Sequence, residues 1–134
     1  KVVKMSQNAS ELAHSLAMNH KNEQFSFFCG TRRMDDLELV FAKNEMKLNI
    51  IPIYDTLLTP HKIKLDVDGI LFYSPSAVES FFIKNKWPKN TYGFCIGKTT
   101  ANALKKYTDR FYVASQPKES ALLVKLKQHF SAYA

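Results

Sequence analysis

The sequence predicts an α/β fold with parallel sheets and flanking helices. Five short apolar runs recur along the chain, each followed by a turn signal and then by apolar residues at helical spacing. The runs are apolar at consecutive positions, which is typical of strands covered on both faces. They are Phe25 to Cys29, Leu48 to Ile53, Gly69 to Tyr73, Tyr92 to Ile96 and Phe111 to Ala114.

Five helices are predicted around these strands. Asp35 to Met46 places Leu37, Val40 and Phe41 on one face, and acidic residues lie at its positive N-terminal end. The other four are predicted from apolar stripes: Leu12, Ala13 and Leu16; Val78, Phe81 and Phe82; Ala101, Leu104 and Tyr107; Leu122, Leu123, Leu126 and Phe130.

Length and composition indicate a chain the size of one ordinary globular domain, with an anionic partner. The 134 residues are 46% hydrophobic, and 19 Lys and Arg against 12 Asp and Glu give a net charge of +7. The basic residues are scattered and not interleaved with aromatics, which argues against a nucleic-acid-binding domain. No apolar run approaches the roughly 18 residues that span a bilayer, so we expect a soluble, cytoplasmic protein without a membrane partner. The start at Lys1 suggests a cut end.

The residues that usually mark metal, disulfide or acid–base chemistry do not form a recognisable pattern. Cys29 and Cys95 lie inside apolar runs, as reduced core thiols do. The four histidines have no metal-ligand spacing, so no metal site is predicted. An enzyme of this composition would work by binding and positioning.

Two strand ends are followed by small hydroxyl residues that open a helix. They are Ser74-Pro75-Ser76 and Gly97-Lys98-Thr99-Thr100. Free N–H groups at such helix starts bind anions. Simple helix capping is the alternative at each, and Ser76 with Glu79 fits a capping box. Two such ends on neighbouring strands favour a ligand cleft at the carboxyl edge of the sheet.

Two further candidates lie at strand ends. Arg32 and Arg33 follow the first strand and could bind carboxylates or phosphates bidentately, or could be exposed arginines at a helix start. Tyr54 closes the second strand and could donate a proton to a leaving group, or could cover the core with its hydroxyl in water. After it, Tyr54 to Pro60 interrupts the alternation, as either a long loop or an interdomain linker.

The paired segments at the helix starts resemble the signatures of uroporphyrinogen-III synthases. They are Asp68 to Phe82, which reads DGILFYSPSAVESFF, and Phe94 to Leu104, which reads FCIGKTTANAL. Phe28 to Arg33, Pro52 to Thr56 and Ala114 to Leu123 are similar to other segments of that family in the same order.

The resemblance implies a two-lobed architecture of flavodoxin-like lobes, of which this chain supplies roughly half. Residues 1–57 would be the second half of the inserted lobe, ending in the crossover, and residues 58–134 the C-terminal part of the other lobe. Since family members are about twice this length, the isolated chain is expected to be inactive. The full-length protein is expected to be a monomer.

The resemblance also implies a reaction. Enzymes of the family cyclise hydroxymethylbilane, which carries eight carboxylates, to uroporphyrinogen III with ring D inverted. This is a lyase reaction of heme biosynthesis, and it needs no cofactor. Tyr54 matches a tyrosine proposed to assist loss of the hydroxyl. The segments matching substrate-binding helix starts contain Ser74, Ser76, Ala77, Val78, Gly97, Lys98, Thr99 and Thr100. The alternative is a non-catalytic flavodoxin-like module that binds a phosphorylated or polycarboxylate ligand.

Overall fold

A computed structural model describes residues 1–64 and 66–132, which form alternating helices and strands. In chain order they are α1 (Ala9–Asn19), β1 (Gln24–Gly30), α2 (Asp36–Lys43), β2 (Lys47–Tyr54), β3 (Gly69–Phe72), α3 (Pro75–Lys84), β4 (Tyr92–Cys95), α4 (Lys98–Leu104), β5 (Phe111–Val113) and α5 (Glu119–Ser131). All predicted strands and helices are present, and the predicted α/β fold with parallel sheets is confirmed.

The chain divides into two compact units. The first unit comprises residues 1–57 and contains β1 paired with β2, and the second begins at Leu58 and contains a sheet in the order β3-β4-β5. Every strand pair is parallel. The assignment of these ranges to two lobes of a larger architecture stays a prediction.

In the first unit, α1 and α2 pack on one face of the two-stranded sheet. The expected cover on both faces is wrong for β1 and β2 among the described residues, since Phe28 is 61% and Ile53 62% exposed. Ala13 from α1 and Leu37 and Phe41 from α2 are buried against Phe25 and other sheet residues. The start of α1 is fixed because the Asn8 side chain accepts a hydrogen bond from the Glu11 N–H at 2.9 Å. The opening helix after Asn8 is therefore confirmed.

The second helix ends earlier than the sequence pattern indicates. Glu45 adopts a left-handed conformation with φ 55°, and the Met46 N–H bonds back to the Phe41 carbonyl at 2.9 Å. This is a Schellman motif, which ends a helix and turns the next residue back onto it. Met46 is thus buried in the core of the first unit although it lies outside α2.

In the second unit, the sheet is covered on both faces. Cys95 points to the face covered by α3 and α4, where Phe72, Val78 and Leu104 are buried. Phe94, its neighbour on β4, points to the opposite face and packs with Leu122 of α5. Side chains alternate along a strand, so a β4 flanked by helices must be apolar at consecutive positions.

Two assignments in the helices of the second unit need correction, and one buried residue was not predicted. Tyr107 lies beyond the end of α4 and stacks on Phe82, with ring centroids 3.6 Å apart. Leu123 is 47% exposed because it lies about 100° around the helix from buried Leu122. His129 takes a place in the core instead, 4.2 Å from the Tyr92 ring centre.

Both cysteines are buried and free, as the sequence predicts. Burial raises the pKa of the Cys95 thiol to about 11. Among the described residues, none of the helices is long and apolar enough to span a bilayer. Residues 55–64 follow β2 without helix or strand, in agreement with the break in the alternation.

Candidate functional site

The carboxyl ends of β3 and β4 lie side by side in the second unit. Phe72 is in register with Cys95, so these neighbouring parallel strands end at the same level. Beyond these ends, α3 begins after Ser74 and α4 begins after Gly97. The fold therefore brings the two predicted helix starts to one edge of one sheet.

Ser74, not Ser76, caps α3. Its Oγ accepts a hydrogen bond from the Ala77 N–H at 3.1 Å and lies 2.9 Å from the Ser76 Oγ. The capping box based on Ser76 is wrong, because Pro75 occupies the first helical position and so fixes the cap one residue earlier. The Val78 side chain is fully buried, which leaves Ser74, Ser76 and Ala77 as the accessible residues of this segment.

The start of α4 lacks a side-chain cap. Gly97 is extended, with φ −168°, and a Cβ atom added to it would have no neighbour within 4 Å. The first N–H groups of a helix have no intrahelical acceptor. Lys98 and Thr99 are exposed here, whereas Thr100 is buried. This open turn can donate backbone hydrogen bonds to an anion beside the Lys98 ammonium group.

In the first unit, the two adjacent arginines have different surroundings. The Arg33 guanidinium donates from Nε and Nη2 to Glu38 Oε1, both at 2.7 Å. The hydrogen bond to Glu38 raises the pKa of Arg33 above its ordinary value. Arg32 is exposed. The structure therefore engages Arg33 with Glu38 of α2, and Arg32 is the more exposed of the two arginines.

Tyr54 lies at the carboxyl end of β2 and is 60% exposed. Its carbonyl accepts a hydrogen bond from the Thr31 N–H at 3.0 Å, and the Thr31 Oγ1 donates to Asp55 Oδ1 at 2.6 Å. Sequence reasoning missed Thr31 and Asp55 as partners. The available signal was that both are polar residues directly following parallel strands.

A second tyrosine at a strand end was also missed. Tyr73 follows β3, and its hydroxyl donates to Glu119 Oε1 at the start of α5, 3.4 Å away. Partial burial, and then the nearby Glu119 carboxylate, raise the pKa of Tyr73. No local signal links residues so far apart in sequence. The pair places a phenol and a carboxylate at the carboxyl edge of the β3-β4-β5 sheet.

In residues 1–64 and 66–132, no three His, Cys, Asp or Glu side chains lie close enough together to form a metal site.

Known proteins resemble this chain in sequence and in fold. The family model for uroporphyrinogen-III synthase HemD matches residues 1–124. The porphyrin biosynthesis protein HemD of Ruminiclostridium josui is 30% identical over 102 residues, which cover 69% of this chain and 20% of that protein. The crystal structure of uroporphyrinogen-III synthetase from Helicobacter pylori 26695 superposes with a TM-score of 0.70 at 17% identity.

The structural match covers 96% of this chain and 61% of the Helicobacter pylori chain. The chain thus spans under two thirds of each of these relatives. At this level of identity the structural likeness establishes the fold, and the match of the family model to most of the sequence establishes the family. The chain belongs to the uroporphyrinogen-III synthase family.

Proposed function

We propose that the protein acts as a uroporphyrinogen-III synthase, a lyase of porphyrin biosynthesis that converts hydroxymethylbilane to uroporphyrinogen III with ring D inverted. Family membership supports this function. The structural observation that carries it is the pair of helix starts beyond the level ends of β3 and β4. Such an edge suits a substrate whose periphery consists of carboxylates.

In this proposal, the substrate carboxylates bind at Ser74, Ser76 and Ala77 and at Gly97 to Thr100. Lys98 supplies a cationic group, and the uncapped N–H groups of α4 supply hydrogen bonds. A hydrogen bond to a charged group contributes about 1.5–3 kcal/mol. Because several carboxylates share the binding, loss of a single contact should weaken binding without abolishing it.

Tyr54 is the residue we propose for the chemical step. Its exposed position at the end of β2 suits a phenol that hydrogen-bonds to the departing hydroxyl group and assists its loss. Arg32 would bind a further carboxylate, while Arg33, engaged by Glu38, would support the loop between β1 and α2.

We further propose how the two units belong to the full-length protein. The first unit would be the second half of an inserted lobe and the second unit the C-terminal part of the other lobe. The full-length protein would be a cytoplasmic monomer that does not bind nucleic acid. Since the chain spans 61% of the structural relative, it would bind tetrapyrrole by itself but need further residues for turnover.

Binding can be measured through Trp87, which is the single tryptophan and lies in the second unit. Uroporphyrin III, a stable octacarboxylate, should quench its fluorescence in a saturable and salt-sensitive manner. Lys98→Gln should weaken binding, and Lys105→Gln at the other end of α4 should not, although both remove one positive charge. Equal effects of the two substitutions would contradict binding at the start of α4.

Turnover is tested by incubation with hydroxymethylbilane and separation of the oxidised uroporphyrin isomers I and III. We expect isomer I from the chain alone. If isomer III rises above the spontaneous background, the chain suffices for the reaction, and Tyr54→Phe should then lower the rate by about 100-fold or more. Tyr107→Phe, at an exposed tyrosine stacked on Phe82, is the matched control. A chain that neither binds uroporphyrin nor forms isomer III would refute the proposed function.

A further inference from the structure

The end of β2 contains a β-bulge that changes the partner of Tyr54. Cys29 on β1 pairs with Pro52, but the next residue, Gly30, pairs with Tyr54, so that Ile53 is an extra residue on β2. A bulge redirects the side chain that follows it. Here it brings Tyr54 opposite Gly30 at the carboxyl edge of the sheet.

The ring of Tyr54 occupies the space where Gly30 would otherwise carry a side chain. A Cβ atom placed on Gly30 would lie 2.5 Å from Tyr54 Cε2, 2.7 Å from Cζ and 3.0 Å from the hydroxyl oxygen. These distances are shorter than van der Waals contact. The ring therefore lies across the backbone of Gly30, and no side chain fits beneath it.

The requirement for glycine at residue 30 is steric and does not arise from the backbone conformation. Gly30 has no positive φ angle, so other residues could adopt its conformation. Tyr54 is 60% exposed and can rotate into solvent, while the Thr31 N–H holds its carbonyl at 3.0 Å. A methyl group on Gly30 should thus displace the ring and leave the strand pairing in place.

We infer that Gly30 is a positioning residue: its missing side chain leaves room for the Tyr54 ring to lie across the end of β1, which places the phenol where it meets the tetrapyrrole. This inference rests on the proposed function. Thr31 supports the same arrangement, because its N–H binds the Tyr54 carbonyl and its hydroxyl binds Asp55 at 2.6 Å.

The placement of the ring is tested by NMR, independently of any ligand. In the parent chain, the Tyr54 ring protons should show NOEs to the Gly30 Hα protons, and the ring current should shift those Hα resonances upfield. In Gly30→Ala, the Tyr54 ring resonances should move and the ring contact should be lost, while the amide resonances of α1 and α2 stay in place. Unmoved Tyr54 ring resonances in Gly30→Ala would overturn the inference.

The functional role is tested by a double-mutant cycle on the affinity for uroporphyrin III. Gly30→Ala and Tyr54→Ala should each weaken binding about tenfold, as expected for one lost hydrogen bond. The double variant should be no weaker than Tyr54→Ala alone. If the double variant instead loses affinity by the product of the two single losses, the role of Gly30 is overturned. A parent chain that binds no tetrapyrrole would overturn the proposed function and this role with it, but the ring contact would still be seen by NMR.

A second pair of variants applies if Gly30→Ala does not fold. Thr31→Val removes the hydroxyl group that binds Asp55, whereas Thr31→Ser retains it. The Tyr54 ring resonances should shift and uroporphyrin affinity should fall in Thr31→Val, and Thr31→Ser should restore both. Identical spectra for the two variants would contradict the support that we assign to Thr31.

Discussion

Replacing Gly97 with serine should separate the stability of α4 from the ability of its start to bind an anion. The Gly97 backbone is extended, with φ −168° and ψ 174°, and a Cβ atom there would have no neighbour within 4 Å. Serine therefore fits without strain. Its hydroxyl can accept the N–H of Thr99 or Thr100 and cap the helix, which should add a few tenths of a kcal/mol of stability. The melting temperature should rise by about 1 °C.

The effect of Gly97→Ser on ligand binding should have the opposite sign. The new hydroxyl would occupy an N–H group that, in our proposal, binds a substrate carboxylate. Loss of one hydrogen bond to a charged group costs about 1.5–3 kcal/mol, or roughly 10- to 150-fold in affinity. Circular dichroism melts and Trp87 fluorescence titrations with uroporphyrin III measure the two quantities on the same samples.

The matched control for this experiment is Asn8→Ser, which exchanges one good cap for another at the start of α1. It should change neither the melting temperature nor the affinity appreciably. If Gly97→Ser folds normally and binds uroporphyrin as tightly as the parent chain, the anion site at the start of α4 is refuted. Strong destabilisation of the Gly97→Ser variant would instead contradict the open space that the structure shows beside Gly97.

Three further predictions concern stability. Gly93→Ala should cost about 1–3 kcal/mol in urea unfolding, because its new methyl group would clash with Leu104 and lie 3.2 Å from the Phe111 Cβ atom; an unchanged midpoint would contradict this packing. Glu45→Gly should raise the urea midpoint by the equivalent of about 0.5–1 kcal/mol, since the residue has φ 55°, and a loss of stability would argue against the Schellman motif. Burial raises the pKa of Cys95 from 9.0 to about 11, so the stability from its neutral thiol is present below pH 9 and lost as the pH rises towards 11. Cys95→Ala should flatten that pH dependence, and an unchanged profile would contradict it.

Much of the fold could be predicted from the sequence because strands and helices here follow local apolar patterns. The consecutive apolar residues of β4 reflect helices on both faces of its sheet. A strand in this position must be apolar along its length, and that pattern can be read from the strand's own sequence. Helix ends were less predictable. The end of α2 depends on a left-handed Glu45, where the sequence has no glycine to mark it.

The candidate site could be located only coarsely. Strand ends followed by Ser74 and Gly97 were visible in the sequence, because parallel strands bring such turns to one edge. The ion pair of Arg33 depends on Glu38 reaching back from α2, and the contact of Tyr73 with Glu119 joins distant parts of the chain. The bulge at Ile53 depends on the register between strands, which no local pattern specifies.

Each unit contains one buried cysteine, so the rate of thiol labelling can report separately on how often each unit opens. Cys29 lies in the first unit and Cys95 in the second, and both are shielded from solvent. A thiol reagent reacts with the ionised, accessible thiol, so labelling must wait for an opening event that exposes it. Mass spectrometry of the two cysteine-containing peptides over time would therefore yield two opening free energies from one sample. A ligand that stabilises one unit would slow labelling of the cysteine in that unit more than labelling of the other cysteine.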